Sequence, residues 1–200
     1  MPNTRLIKRR IRSVQSIGKV TKAMEMVAAS RMKRAQERAL AARPYDEKIR
    51  QVIANLSAAI PPSQEGAIHP LLEVRPVQRV QMLLITTDRG LCGALNSNII
   101  RVASNFIMEQ EVPVSAVAVG RKGRDFCKRC GQQVLAEFTD MGDRPGLLDI
   151  APIAKVVTED YASGKTDRVY LIYPQFVSTV TQNPVVRQLL PVEPTEFPAG

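Results

Sequence analysis

The chain has 200 residues, 44% of them hydrophobic, which suits one medium α/β domain plus an extension. Its longest apolar run is far short of the ~20 residues a membrane span requires. The charged N-terminus lacks the apolar core of a secretory signal, and three Cys without a dense framework fit a reducing cytosol. The formal net charge is +9, and residues 1–50 alone carry 14 Lys+Arg against 4 Asp+Glu, so the remainder is close to neutral. A basic element segregated in this way implies an acidic partner: nucleic acid, anionic lipid or acidic protein loops.

From Asn3 to Arg43 there is no Pro and a single Gly, Gly18. Apolar residues recur every three or four positions at Ile7, Ile11, Val14, Ile17, Val20, Met24, Val27, Ala28, Met32, Ala35 and Ala39. That spacing predicts one helix with one apolar stripe, about 60 Å long at 1.5 Å per residue. Such a rod cannot bury its own stripe and needs a partner helix or a sleeve of other subunits. A transit peptide could share this basic amphipathic pattern, but Glu25 and Glu37 interrupt it and the stripe runs too long. No aromatic precedes Tyr45, so the rod is not built to stack bases. Within it, Lys8, Arg9, Arg10, Arg12, Lys22, Arg31, Lys33 and Arg34 form a candidate basic contact surface. Met24 and Met26 are flexible side chains that adapt to a surface that changes shape. Helical spacing resumes after Pro44 through Ile49, Val52, Ile53 and Leu56 to Ala59, with a kink or short break expected at the proline.

Residues 61–78 hold Pro61, Pro62, Pro70 and Pro76 and read as a linker. Val80–Thr87 follows as an apolar strand of the kind buried in a parallel sheet. Asp88–Asn96 is a loop, and Ser97 or Asn98 is the expected cap of a helix to Gln110. The pattern then predicts a strand at Val112–Val119, a helix at Lys122–Cys130, a strand at Gln133–Phe138, a helix at Leu148–Ala162 and a strand at Arg168–Tyr173. A late strand pair is expected at Val177–Val180 and Val185–Leu190. Strands alternating with helices imply right-handed βαβ units in a Rossmann-like open sheet. The expected divisions are a shaft over 1–60, a linker over 61–78, an α/β domain over 79–193 and a further linker over 194–200.

The chemistry-bearing motifs are incomplete. Gly90 and Gly93 in the first strand's exit loop do not form G-x-G-x-x-G or a P-loop, so no nucleotide cofactor is expected. Cys127 and Cys130 form a C-x-x-C, but His69 is the only histidine and lies in the proline-rich stretch. Neither a zinc site nor a catalytic thiol is supported. Asp140, Asp143 and Asp149 cluster with Arg144 in a Gly/Pro segment, a pattern that forms turns. No metal site and no enzyme active site are expected on this chain.

Two blocks carry a family resemblance. Thr21–Lys33 (TKAMEMVAASRMK) and Thr87–Asn96 (TDRGLCGALN), followed by Met141–Gly142–Asp143 and Gln188–Pro191 (QLLP), resemble the γ subunit of F-type ATP synthase. The resemblance implies a rotor shaft that couples rotation of a membrane ring to conformational change at catalytic sites, with a Rossmann-like foot. Its implied partners are the ring of catalytic α/β-type subunits, an ε-type subunit, the membrane c-ring and a C-terminal helix that would pair with the first; the chain ends before that helix. The implied location is the cytoplasmic side of a bacterial inner membrane. The loop residues Asp88, Arg89, Gly90, Cys92 and Asn96 become an expected turn and subunit interface in the foot. Two other readings are a basic coiled-coil nucleic-acid-binding protein and a Rossmann-type oxidoreductase. The missing aromatics and the second block oppose the first, so no nucleic acid is expected as a partner; the incomplete glycine fingerprint opposes the other.

Overall fold

The structure, a computed structural model, describes residues 4–59, 69–142 and 144–192. The expected linker over 194–200 and the 61–68 portion of the other lie outside them. The chain divides into two compact units, Met1–Gln51 and Val52–Gly200.

Helix α1 runs from Thr4 to Ala59, 56 residues, about 80 Å at 1.5 Å per residue. It passes through Pro44 as one helix, so the short break allowed for at the proline does not occur. The proline removes the donor to the Leu40 carbonyl, on an exposed part of the helix open to solvent. Between residues 4 and 46 only Gln36 is not exposed. The stripe is therefore open to solvent in the chain by itself: Ile7, Ile11, Val14 and Met32 are all exposed.

The second unit contains β1 (Val80–Ile85), α2 (Leu95–Glu109), β2 (Val114–Val119), α3 (Arg121–Arg129), β3 (Gln133–Phe138), α4 (Leu147–Ala162), β4 (Arg168–Phe176) and β5 (Gln182–Leu190). The sheet order is β3-β2-β1-β4-β5. The first four strands are parallel and β5 is antiparallel to β4. Alternation along β1 divides the core. Val80, Met82 and Leu84 pack against Ile99, Ala103 and Phe106 of α2 and Phe126 of α3. Leu83 packs on the opposite face with Ile153, Val157 and Tyr161 of α4. The one polar residue in β1, Gln81, is fully buried and donates from Nε2 to Asp160 Oδ2 at 2.9 Å.

Three boundaries differ from expectation for local reasons. Val177–Val180 is not a strand. β4 extends to Phe176, and Val177 and Ser178 N–H groups donate to the Thr181 carbonyl at 3.2 and 3.0 Å, closing a hairpin into β5. Pro184 sits within β5, which is tolerated because β5 is an edge strand. Helix α2 starts at Leu95 with Ala94 at its N-cap and no side-chain cap, so Ser97 and Asn98 lie within its first turn. β1 stops at Ile85 because Thr87 turns to Asn96, accepting from Nδ2 at 2.8 Å on Oγ1.

Gly120 joins β2 to α3 at φ +89, and a Cβ there would lie 2.3 Å from the Thr86 carbonyl oxygen. Gly120→Ala is therefore expected to destabilise the α/β domain by roughly 3 kcal/mol or more. Urea unfolding followed by tyrosine fluorescence measures this; a midpoint equal to the parent's would show that the backbone relaxes without strain.

Candidate functional site

Two regions hold the residues that the sequence singles out. On α1, at about 100° per residue, Lys8, Arg12, Lys22 and Lys33 fall within about 80° of one another. Lys19, which the sequence reading did not select, joins them, and Met26 lies among them. Arg9 and Arg34 flank this face, whereas Arg31 falls on the apolar stripe, within about 20° of Met24. Arg10 and Met24 lie instead on the apolar stripe. Met24 and Met26 thus point to opposite sides of the rod, and both are exposed. Lys22 pairs with Glu25 at 3.1 Å and Lys33 with Glu37 at 4.0 Å, all well exposed. Arg34 donates to Ser30 Oγ at 3.1 Å. Among the described residues Lys8, Arg9, Arg10 and Arg12 form no ion pair, and no acidic residue precedes Glu25 in the chain.

The second region is the loop after β1. Its shape is set from within. Asn96 Nδ2 donates to Thr87 Oγ1 at 2.8 Å and to Cys92 Sγ at 3.0 Å, while Thr87 Oγ1 donates to the Arg89 carbonyl at 2.6 Å. Asp88 ties three segments together: its Oδ1 accepts from the Arg121 amide at 3.0 Å and its Oδ2 from the Asp140 amide at 3.0 Å. The Arg121 guanidinium pairs with the Asp140 carboxylate. A carboxylate at the first turn of α3 also meets the positive end of the helix dipole. Asp88, Cys92 and Asn96 therefore hold the loop, whereas Arg89, Gly90 and Leu91 form its exposed apex. Leu91 is fully exposed at φ 60. Sequence reasoning missed Arg121 and Asp140 as partners of Asp88, because separations of 33 and 52 residues leave no periodic signal.

Beside this loop a cavity of about 340 Å³ lies between the start of α2 and the β4–β5 turn, lined by Gly93, Asn98, Thr181 and Gln182 among others. Among the described residues no lysine or arginine lines it, so these supply no cationic side chain for a phosphate. Of the acidic cluster, Asp149 Oδ2 accepts from the Gly146 amide at 2.7 Å at the start of α4, Asp140 adopts φ 60, and Asp143 lies outside the described residues. Among those described, no group of three or more His, Cys, Asp or Glu is arranged to hold a metal.

The C-x-x-C lies at the C-terminal end of α3. Cys127 is fully buried and Cys130 exposed, and burial pushes the Cys127 thiol up to about 11. Stability carried by this neutral thiol is full below its ordinary value of 9.0 and is lost as pH rises through about 11. At pH 8, iodoacetamide is expected to modify Cys130 readily and to leave Cys127 unmodified until denaturant is added, read by peptide mass spectrometry. Equal rates at the two thiols would contradict this assignment.

Comparison with known proteins fits this architecture. A sequence profile of the ATP synthase family matches residues 3–199. The ATP synthase gamma chain of Dehalococcoides mccartyi (strain CBDB1) is 60% identical, the alignment covering 100% of this chain and 70% of that protein. That of Roseiflexus castenholzii is 45% identical, covering 100% and 69%. Among solved structures, the central stalk and c-ring of the Tetrahymena thermophila mitochondrial ATP synthase contains a chain that superposes with a TM-score of 0.64 at 25% identity, covering 86% of this chain and 72% of that one. With the profile spanning nearly every residue and identity this high across the rod and the α/β domain together, the chain belongs to the ATP synthase γ-chain family.

Proposed function

We propose that the chain is the shaft subunit of a proton-translocating rotary ATP synthase and performs no bond chemistry itself. Its angle inside a ring of catalytic α/β-type subunits decides which catalytic site is open. In thermodynamic terms it is one ligand shared by several sites, stabilising a different conformation of each at every angle. The whole-chain family match carries this reading, and the rod's all-round exposure agrees with it. Lys8, Arg12, Lys22 and Lys33 meet acidic loops of the ring through exposed pairs of ~0.2–1 kcal/mol each. Pairs this weak break at every step of a turn. The apolar stripe with Met24 packs against a C-terminal helix of the kind the family resemblance implies. The loop apex Arg89–Leu91 is an interface of the foot, which contacts an ε-type subunit and the membrane c-ring. The complex is peripheral on the cytoplasmic face of a bacterial inner membrane, and neither nucleic acid nor a cofactor is involved.

Co-expression of the full-length subunit with the ring subunits tests the reading: co-purification with ATP-driven proton pumping is expected, and failure to assemble overturns it. In that complex Lys22→Ala is expected to change hydrolysis and pumping by no more than about twofold, since its ion pair is exposed and weak. Met24→Lys is expected to lower protons pumped per ATP severalfold while hydrolysis continues, because it sets a charge into the apolar stripe. Both activities are measured in the same vesicles. Normal pumping by Met24→Lys together with uncoupling by Lys22→Ala would refute the smooth-bearing account.

A further inference from the structure

Residues 69–79, which carry the chain toward β1, are pinned to one corner of the α/β domain, the junction of α4 with β4. The guanidinium of Arg75 lies over the Tyr161 ring at 4.6 Å from its centroid, and its Nη2 donates to the Tyr161 carbonyl at 2.6 Å. The Tyr161 hydroxyl donates back to the Glu73 carbonyl at 2.5 Å. Asp167, 7% exposed, accepts from the Gln78 and Arg79 amides on the same oxygen at 2.9 and 3.0 Å, and its own amide donates to the Arg79 carbonyl at 2.9 Å. Thr166 Oγ1 donates to that carbonyl at 3.2 Å, and Arg79 Nη2 donates to the Gly164 carbonyl at 3.1 Å. Two arginines thus cover carbonyls at the C-terminal end of α4, where the helix dipole favours cations. Gly164, at φ +72, leaves room for Arg75: a Cβ there would lie 3.2 Å from Nη1. The outgoing chain meets the same segment, since the Val192 amide donates to the Leu71 carbonyl at 3.3 Å.

We infer that this polar clasp is the torque-bearing joint of the α/β domain, with Arg75 and Asp167 as its positioning residues. The inference rests on the rotor reading above. Torque carried along the covalent chain between the rod and the domain has to cross residues 69–79. Apolar contacts are non-directional and yield to sliding, whereas hydrogen bonds weaken steeply with angle. A charge-assisted, partly buried set resists rotation of the segment, and here it converges on a single corner. Buried apolar packing alone would give the segment stability but not a fixed angle.

The test uses the complete complex in sealed vesicles, measuring protons pumped per ATP hydrolysed against an increasing imposed proton gradient. For Arg75→Ala, assembled complexes are expected to hydrolyse ATP within twofold of the parent and to pump normally with the gradient collapsed. The ratio is then expected to fall threefold or more at high gradient. Arg75→Lys, which keeps the charge but loses the planar stack, is expected to fall between. A merely structural role would reduce the yield of assembled complex and leave the ratio unchanged at every gradient; that result overturns the inference. If Arg75→Ala does not assemble, Arg79→Ala, which removes an exposed bond to Gly164, is read in the same way, and an unchanged ratio overturns it equally. Absence of coupled pumping by the parent complex would instead count against the rotor reading itself.

Discussion

Burial of β1 on both faces is the constraint on which the α/β domain depends. Val80 to Leu84 are at most 7% exposed, so every side chain of the strand must find a partner inside. The apolar ones divide between α2 with α3 and α4, which sets the side of the sheet each helix occupies. Gln81 is paired at this depth through Nε2, whose bond to Asp160 fastens the C-terminal part of α4 to the strand, while its Oε1 finds no partner among the described residues. The same strand locates both polar assemblies of the domain. Its N-terminal end follows the segment held by Asp167, and its C-terminal end opens into the loop held by Asp88 and Asn96.

The rod obeys the opposite constraint. Helices in proteins owe most of their stability to packing of an apolar face, and α1 has no buried residue among 4–46. Its visible support is local: i,i+3 and i,i+4 pairs such as Lys22–Glu25 and Lys33–Glu37, each worth a few tenths of a kcal/mol. Each exposed Ile, Val or Met of the stripe is worth about 1.5–3 kcal/mol once fully buried. Partner surfaces covering the rod therefore supply far more stability than the helix holds by itself. This accords with a shaft that functions only inside an assembly.

Much of this fold was legible in the sequence because the signals were strong and local. The apolar run at β1 reads as a strand of the kind buried in a parallel sheet, and β3 and α4 fall within a residue of their expected bounds. The first of the two late strands was misread because Val177 and Val180 have strand propensity, which the Ser178 hydroxyl overrides by accepting from the Val180 and Thr181 amides, whereas Val185–Leu190 does lie within β5. The α2 start was misplaced because capping propensity favoured Ser97 and Asn98, while the loop's own bonds through Asn96 decide where the helix begins. For the candidate site, sequence identified the loop from Asp88 to Asn96 but not its internal division of labour. Arg75 and Tyr161 are 86 residues apart, and nothing in the proline-rich stretch distinguishes Arg75 from a solvated cation. Family resemblance reached further than pattern did, since it gave the rotor assignment that no single motif carries.

A rotor has to yield at one end and hold at the other, and the chemistry of the chain divides along that line. The rod presents exposed, screened charges, whose ion pairs are worth ~0.2–1 kcal/mol each and break without deep wells. The corner at Tyr161 and Asp167 uses partly buried hydrogen bonds to charged groups, worth up to about 1.5–3 kcal/mol each and dependent on angle. Three such bonds acting together exceed any single exposed ion pair of the rod severalfold. Strain imposed on the chain is then relieved at the bearing surface before it is relieved at the joint. Exchanging the two kinds of interaction would give a shaft that sticks in its sleeve and slips on its foot.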